Sequence, residues 1–450
     1  MAREVIIHNL KDWSTISDKS DCWKKLDFVH TESNFGIHIY NSEVWTAGFV
    51  GVGRIYDSYQ KPIQSKGREH VVVISSSYHM DPWPMLETVM ADDEYDNYLE
   101  EINSSGDFLF KIFYDQPLVR LAQDQLNDGD ILYTLSFINS CYNLCRKGLK
   151  KEMYYHEENF TSKVRGKIVV SRNINCNTFH GRNDRFYCKY IDFTDDSIEN
   201  RILKATLHRC KSILATRFQE NTEIQNQIAF CLNTLRHVKE TKIKLSDFNN
   251  ATASGLYMYY KPTLQQAKCI YSQKYYAYAA ESGKTIAKST FTIPYMINME
   301  TLFEFYSRAM IKKRLDTQKY RLEAYSKRLY LQRGVTKDAD AEKGIHLIPH
   351  VIPDIIIYDR ATNTPAAVID VKYKEHSRAV REDSHQLLSY VLLTGAPRCG
   401  FVFPGEGDSM IVPMKTSGQN YLDLRARGLK YFELLLGKKL ESGELEKALL

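Results

Sequence analysis

Pro353-Asp354-Ile355-Ile356-Ile357-Tyr358, a polar turn Asp359-Arg360-Ala361-Thr362-Asn363-Thr364-Pro365, and Ala367-Val368-Ile369-Asp370-Val371-Lys372-Tyr373-Lys374 decide the reading of this chain. Two apolar, β-branched runs around a turn rich in Asp, Asn and Pro predict a β-hairpin. Side chains alternate across a strand, so Asp370 and Lys372 share one face, with Ile369, Val371 and Tyr373 on the other. Charged groups emerging from so apolar a strand are costly unless they are paired. The neighbouring strand supplies Asp354 as the third member. Two carboxylates and an ammonium at one point suit a divalent cation such as Mg²⁺, with Mn²⁺ able to substitute, and a cation beside it. Such a metal polarises a phosphodiester and generates hydroxide, while the Lys positions water or stabilises the developing charge.

A short helical pattern follows, Asp383-Ser384-His385-Gln386-Leu387-Leu388-Ser389-Tyr390. Gln386 and Tyr390 are four residues apart and share one helix face, so both can reach the same cleft.

Outward from this block, the chain of 450 residues is too long for one ordinary core, and two or three domains are expected. It is 43% hydrophobic and 26% charged, a normal globular composition. A net charge of +5 is only mildly basic, so any nucleic-acid contact must come from local clusters. Nine cysteines occur without a C-x-x-C pair, and Cys141-x-x-x-Cys145 has no second ligand pair, which argues against structural zinc and for reduced thiols in a cytoplasmic setting. His346, His350, His376 and His385 are not at zinc-ligand spacing either, and Ser384-His385 reads as helix surface. The N-terminus carries no signal-peptide pattern and no run is long enough to span a membrane.

Residues 1–80 predict short strands, among them Phe35–Tyr40, Val44–Ile55 and His70–Ser75. The glycines of Gly48-Phe49-Val50-Gly51-Val52-Gly53 lack G-x-G-x-x-G order and no helix follows, so they read as strand bends or bulges. Asp81-Pro82 opens a helix, residues 91–106 are acidic and read as exposed, and 131–149 form a helix stopped by Gly148. Phe186–Phe193 alternates like a strand, Asp196-Ser197-Ile198-Glu199 has capping-box spacing before a long helix, and further helices cover about 221–238 and 262–280. Ser282-Gly283-Lys284-Thr285 imitates the end of a phosphate-binding loop, but Tyr278 stands where its first glycine should be and a helix precedes it, so no nucleotide hydrolysis is expected of this chain. From Lys312-Lys313-Arg314 to Arg333 eight basic and two acidic residues interleave with Tyr320, Tyr325 and Tyr330, a stripe suited to phosphates or else a solvated face. Strands at 399–404 and 410–413 and a terminal helix over 421–436 complete the expectation.

Pro353-Asp354 followed by Asp370-Val371-Lys372 resembles the PD-(D/E)xK nuclease signature, and Gln386-x-x-x-Tyr390 resembles the Q-x-x-x-Y motif of RecB-type members. The longer series also includes Phe49-Val50-Gly51-Val52-Gly53-Arg54, Arg146-Lys147-Gly148-Leu149, Arg165-Gly166-Lys167-Ile168, Asp195-Asp196-Ser197-Ile198-Glu199-Asn200 and Met299 to Tyr306. With the nuclease block, that order is similar to the McrC family, the nuclease subunits of McrBC-type restriction systems. The resemblance implies a mixed α+β chain. A β-rich N-terminal module (1–150) docks a partner, a mainly helical connector spans 151–285, and an α-β-β-β-α-β restriction-endonuclease-like domain spans 286–450. It further implies Glu304 as a fourth catalytic and metal-site residue, an ordinary salt-bridged helix Glu being the other reading of that position, and a Mg²⁺-dependent endonuclease acting on double-stranded DNA, with Lys312, Lys313, Arg314 and Lys374 along the DNA. The partner implied is a hexameric McrB-like AAA+ GTPase or ATPase, whose hydrolysis the N-terminal domain stimulates. Rival readings are a non-catalytic activator of that motor and a free-standing RecB-like nuclease; the intact Asp354, Asp370, Lys372, Gln386 and Tyr390 weigh against the first.

Overall fold

The computed structural model describes the chain apart from residues 1–4, 18–19, 29–33, 79, 93, 96, 99–101, 103–106, 123–128, 216–221, 283–288, 325–328, 331–349, 377–380, 412–428, 438, 444 and 446–450. It forms two compact units, Met1–Phe113 with Pro294–Leu450, and Tyr114–Ile293. These do not coincide with the three consecutive segments expected. One short strand explains the difference, because Tyr295–Asn298, far along the chain, lies in the N-terminal sheet between Phe49–Arg54 and Phe110–Ile112.

In the first unit, β1 (Val5–Lys11), β2 (Phe49–Arg54), β3 (Arg68–Ser75), β4 (Phe110–Ile112) and β5 (Tyr295–Asn298) are ordered β1-β3-β2-β5-β4. The β1–β3 pair is parallel and the others are antiparallel. The glycines of β2 lie within the strand, not in a phosphate-binding loop. A Cβ at Gly51 (φ 154°) would fall 2.1 Å from the Tyr295 carbonyl oxygen, so close backbone approach demands glycine there. Helix α1 (Pro82–Met90) follows β3, with Asp81 accepting from the Trp83 N–H at 3.1 Å and Pro82 in the first turn. The acidic stretch after α1 is not simply exposed: Tyr98 and Ile102 are buried, and Tyr98 stacks on Phe305 at 4.8 Å. Trp23, Phe35, Ile37, Ile55, Val72 and Met296 form the core under this sheet.

The second sheet of this unit carries the hairpin. Its elements are α2 (Met299–Arg314), β6 (Tyr320–Ala324), β7 (Ile355–Asp359), β8 (Pro365–Val371), α3 (Arg381–Thr394), β9 (Arg398–Pro404), β10 (Met410–Ile411) and β11 (Lys430–Leu436). The strand order is β6-β7-β8-β9-β11-β10. Ile355 pairs with Ile369 across the antiparallel hairpin, and Asp359 closes its turn by accepting from the N–H groups of Ala361 (2.8 Å) and Thr362 (2.9 Å). Helix α3 then returns the chain so that β9 runs parallel to β8. Leu387 and Tyr390 of α3 pack with Ile356, Val368, Phe401 and Phe403, and strands covered this way read as continuous apolar runs. The helix expected over 421–436 is corrected where it is described: Lys430–Leu436 is a strand, parallel to β9. Phe432, Leu434 and Leu436 are buried in alternation, a period of two that the helical reading passed over. Val412 and Pro413, expected in the preceding strand, lie outside the described residues.

The second unit holds the helices Gly129–Lys147, Ile198–Leu214, Thr222–Thr234 and Tyr260–Ser282. It is less purely helical than expected. The ten-residue strands Glu152–Thr161 and Arg185–Thr194 pair antiparallel along their whole length, with Lys167–Ile168 alongside. Ser197 caps its helix by accepting from the Asn200 N–H at 3.3 Å. The Asn200 amide donates to the carbonyls of Lys150 (2.9 Å) and Asp195 (2.6 Å), and its oxygen accepts from Tyr260 at 2.8 Å. Lys150 reaches Glu199 at 2.9 Å. The Asp195–Asn200 stretch is thus the knot that ties strand ends to helices. Of the phosphate-loop look-alike, Ser282 ends a helix and residues 283–285 lie outside the described residues.

Candidate active site

The site grows from the end of β8. Asp370 is completely buried, and Lys372 leaves the strand two residues on, its main-chain N–H held by the Val402 carbonyl of β9 at 2.9 Å. The Lys372 ammonium lies 2.9 Å from Asp370 Oδ2 and donates to Gln386 Oε1 at 3.0 Å. Gln386 Nε2 donates to the Tyr390 hydroxyl at 2.6 Å, and that hydroxyl donates to the Ile352 carbonyl at 3.0 Å. One Gln-Tyr pair on a single face of α3 therefore grips both the lysine and the strand entry that carries Asp354. Asp354 is fixed from the other side, its Oδ2 accepting the Val371 N–H at 2.6 Å.

The structure thus brings Asp354, Asp370, Lys372, Gln386 and Tyr390 together. Burial raises the Asp354 carboxyl; burial and the adjacent Asp354 charge push Asp370 up to about 7. Burial alone would lower Lys372, but the Asp370 carboxylate holds it above its ordinary value, so the ammonium stays charged. Beyond the Lys372 ammonium at 2.9 Å, no donor meets the Asp370 carboxylate among the described residues. A buried carboxylate with one cationic neighbour, facing a second carboxylate, is what a divalent cation with oxygen preference would further satisfy, so this donor set fits Mg²⁺.

Glu304 is placed differently. The Arg308 guanidinium pairs with it, and Arg308 Nε donates to the Asp354 carbonyl at 3.1 Å. Among the described residues no three acidic ligand atoms converge within 4.8 Å here, so Glu304 flanks the two aspartates as part of an Arg308 clamp. Arg308, fully buried, was missed in the sequence; its signal was Glu304-x-x-x-Arg308, the spacing of a helical ion pair. Of the residues assigned to DNA, Lys374 is paired with Asp383, and Lys312 reaches Asp92 at 3.2 Å and Glu94 at 2.9 Å. Lys313 and Arg314 are exposed on the last turn of α2. The rest of the basic stripe is split between β6 and residues outside the described part, so it is not one helix face.

Two further groups gather potential ligands. Cys231 joins Cys141 and Cys145, and His8, Cys22 and His70 form the other, the ligand atoms of each lying within 4.8 Å of one another. The absence of a C-x-x-C pair concealed both, because each group is completed only by residues distant in the chain, Cys231 in one and all three members in the other.

A family model described as McrBC 5-methylcytosine restriction system component matches residues 109–404. No curated protein matches the chain. Among solved structures it is similar to a chain of the refined half-complex from a tetradecameric assembly of Thermococcus gammatolerans McrB AAA+ hexamers with bound McrC. The two are 15% identical over 96% of this chain and 95% of that one, with a TM-score of 0.35. It is also similar to a chain of the cryo-EM structure of the Thermococcus gammatolerans McrBC complex, 15% identical over 69% of this chain and 89% of that one, with a TM-score of 0.29.

Proposed function

The chain belongs to the family of McrBC 5-methylcytosine restriction system components, and from that premise we propose that it is the system's DNA-cleaving subunit, a Mg²⁺-dependent endonuclease with a PD-(D/E)xK domain. The observation that carries the reading is the buried Asp370 carboxylate, met among the described residues by the Lys372 ammonium alone at 2.9 Å and facing Asp354. Within the sheet that carries the hairpin, the order α2, β6, β7, β8, α3, β9 supports this reading, with a separate strand pair, Leu329–Tyr330 and His350–Val351, inserted between β6 and β7 in the chain.

Asp354 and Asp370 would hold the ion, which when bound polarises the scissile phosphate and acidifies its water. Lys372 stays protonated and directs its ammonium toward negative charge developing on the phosphate. Gln386 orients that ammonium through its side-chain oxygen, and Tyr390 fixes Gln386. Lys313 and Arg314 offer charge for the DNA backbone.

The reading includes a partner, an AAA+ motor in whose company cleavage occurs. Its support is family membership in a multi-component system, together with an apolar surface on the second unit. Along the paired strands Glu152–Thr161 and Arg185–Thr194, Met153, Tyr155, Ile191 and Phe193 are exposed, more apolar surface than an isolated ribbon needs. The test compares wild type with Asp370→Asn on modified and unmodified DNA, with and without the motor protein and its nucleotide. Cleavage dependent on Mg²⁺, motor and Asp370 is expected, with a loss of about 10³-fold or more in the variant. Undiminished cleavage by Asp370→Asn overturns the assignment. Faster nucleotide hydrolysis by the motor without any cleavage reduces this chain to an activator.

A further inference from the structure

Three donor side chains from separate stretches meet in the core of the N-terminal sheet, away from the aspartates. His8 lies on β1, His70 on β3, and Cys22 at the start of the short turn Trp23–Lys25. In the parallel β1–β3 ladder Ile6 stands opposite His70, so His8, two residues on, shares the His70 face. His8 Nε2 is 2.8 Å from His70 Nδ1, the rings lie 12° from parallel, and Cys22 Sγ is 3.8 Å from the same His8 nitrogen. Relative exposures are 8% for His8, 2% for Cys22 and 2% for His70.

We propose that His8, Cys22 and His70 form a zinc site that fastens the first strand and the Trp23 turn to the sheet, with water in the fourth position. Bond lengths of ~2.0–2.1 Å to imidazole and ~2.3 Å to thiolate in a tetrahedron separate donor atoms by roughly 3.3 Å (N···N) and 3.6 Å (N···S). The observed 2.8 and 3.8 Å lie within about half an ångström of those values, and all three donor atoms lie within 4.8 Å of one another, so rotation of these side chains is the movement that ligation requires. The outer nitrogen of His70 is already seated, with Nε2 2.8 Å from Ser65 Oγ. With Nε2–H donating to that hydroxyl, the usual outer contact of a ligating histidine, His70 has its Nδ1 lone pair facing the other donors, and His8 Nε2–H donates to it in the metal-free site. On binding, the Cys22 thiol gives its proton to solvent and the His8 proton moves from Nε2 to Nδ1, so that both imidazoles coordinate in the neutral form. Two imidazoles and one thiolate suit zinc better than the oxygen-seeking Mg²⁺ expected at Asp370.

Metal content of the full-length protein, purified from zinc-supplemented cells and dialysed, tests this by mass spectrometry. One zinc per chain is expected in wild type and in Cys231→Ser, and none above background in Cys22→Ser or His70→Gln. Cobalt reconstitution should give thiolate-to-cobalt charge-transfer absorption that disappears in Cys22→Ser. If those variants fail to fold, wild type still decides the matter: stripping by a strong chelator should lower Tm, and added zinc should restore it. Metal-free wild type, zinc retained by Cys22→Ser, loss in Cys231→Ser instead, or a Tm indifferent to chelation would each overturn the site.

Discussion

The Tyr373 hydroxyl donates to Asp12 Oδ2 at 2.8 Å, joining residues 361 positions apart in the chain. Asp12 is fully buried just after β1, and its other oxygen accepts the Ser77 N–H at 2.5 Å. Burial raises the Asp12 carboxyl, and these donors oppose the rise. Tyr373 directly follows Lys372, so the strand end carrying the lysine is anchored in the N-terminal sheet. Tyr373→Phe removes one donor from a buried carboxyl and should cost about 1–3 kcal/mol in urea unfolding. A denaturation midpoint equal to wild type would show that the link holds nothing.

Gln386 touches Lys372 and Tyr390, and its assigned role is positioning. Gln386→Ala should lower kcat for cleavage by roughly 10–100-fold through a loosened ammonium while leaving KM for DNA near wild type. Gln386→Glu keeps an acceptor for Lys372 and should recover part of the loss. A change confined to KM would make Gln386 a DNA contact.

Lys312 and its neighbours separate by structure. Lys312 is engaged by Asp92 and Glu94, whereas Lys313 and Arg314 are exposed. Replacing Lys313 and Arg314 by Ser should flatten the plot of log affinity against log salt by about one per lost phosphate contact. Lys312→Ala should leave that slope nearly unchanged and lower stability instead. The reverse pattern, measured by fluorescence anisotropy across salt, would reject the division.

Asp196 supplies a pH test in the second unit. Arg201 donates to both of its oxygens at 2.7 Å and holds the carboxyl down at about 2. A carboxyl depressed on folding contributes stability above its unfolded value near 4, and that contribution fades as pH falls toward about 2. The pair is partly exposed, so the contribution is roughly 1–2 kcal/mol. Wild type should exceed Asp196→Asn by that amount at neutral pH, with the gap closing below about pH 3. A gap independent of pH would assign the effect to packing.

Much of the candidate site's geometry was legible because it is local. The apolar, β-branched runs Ile355–Tyr358 and Ala367–Val371 around a polar turn fix a hairpin, and the two-residue period of a strand fixes which side of it Asp370 and Lys372 occupy. Four-residue spacing puts Gln386 and Tyr390 on one helix face whatever that helix packs against. The misread parts depend on distant partners. Lys430–Leu436 carries leucines that suit a helix, and it is a strand because β9 offers it a parallel edge.

The sequence by itself determined the hairpin and the juxtaposition of Asp354, Asp370 and Lys372 on it, because periodicity and residue type act over a few positions. Tertiary structure alone decided that Tyr295–Asn298 completes the N-terminal sheet, that Arg308 reaches the Asp354 carbonyl, and that His8, Cys22 and His70 face one another. Those pairings join residues from 14 to 249 positions apart, as between His8 and Cys22 or Phe49 and Asn298. The physical reason is that burial removes water from every polar group it encloses, and each such group must then find its partner wherever the packed chain has brought one.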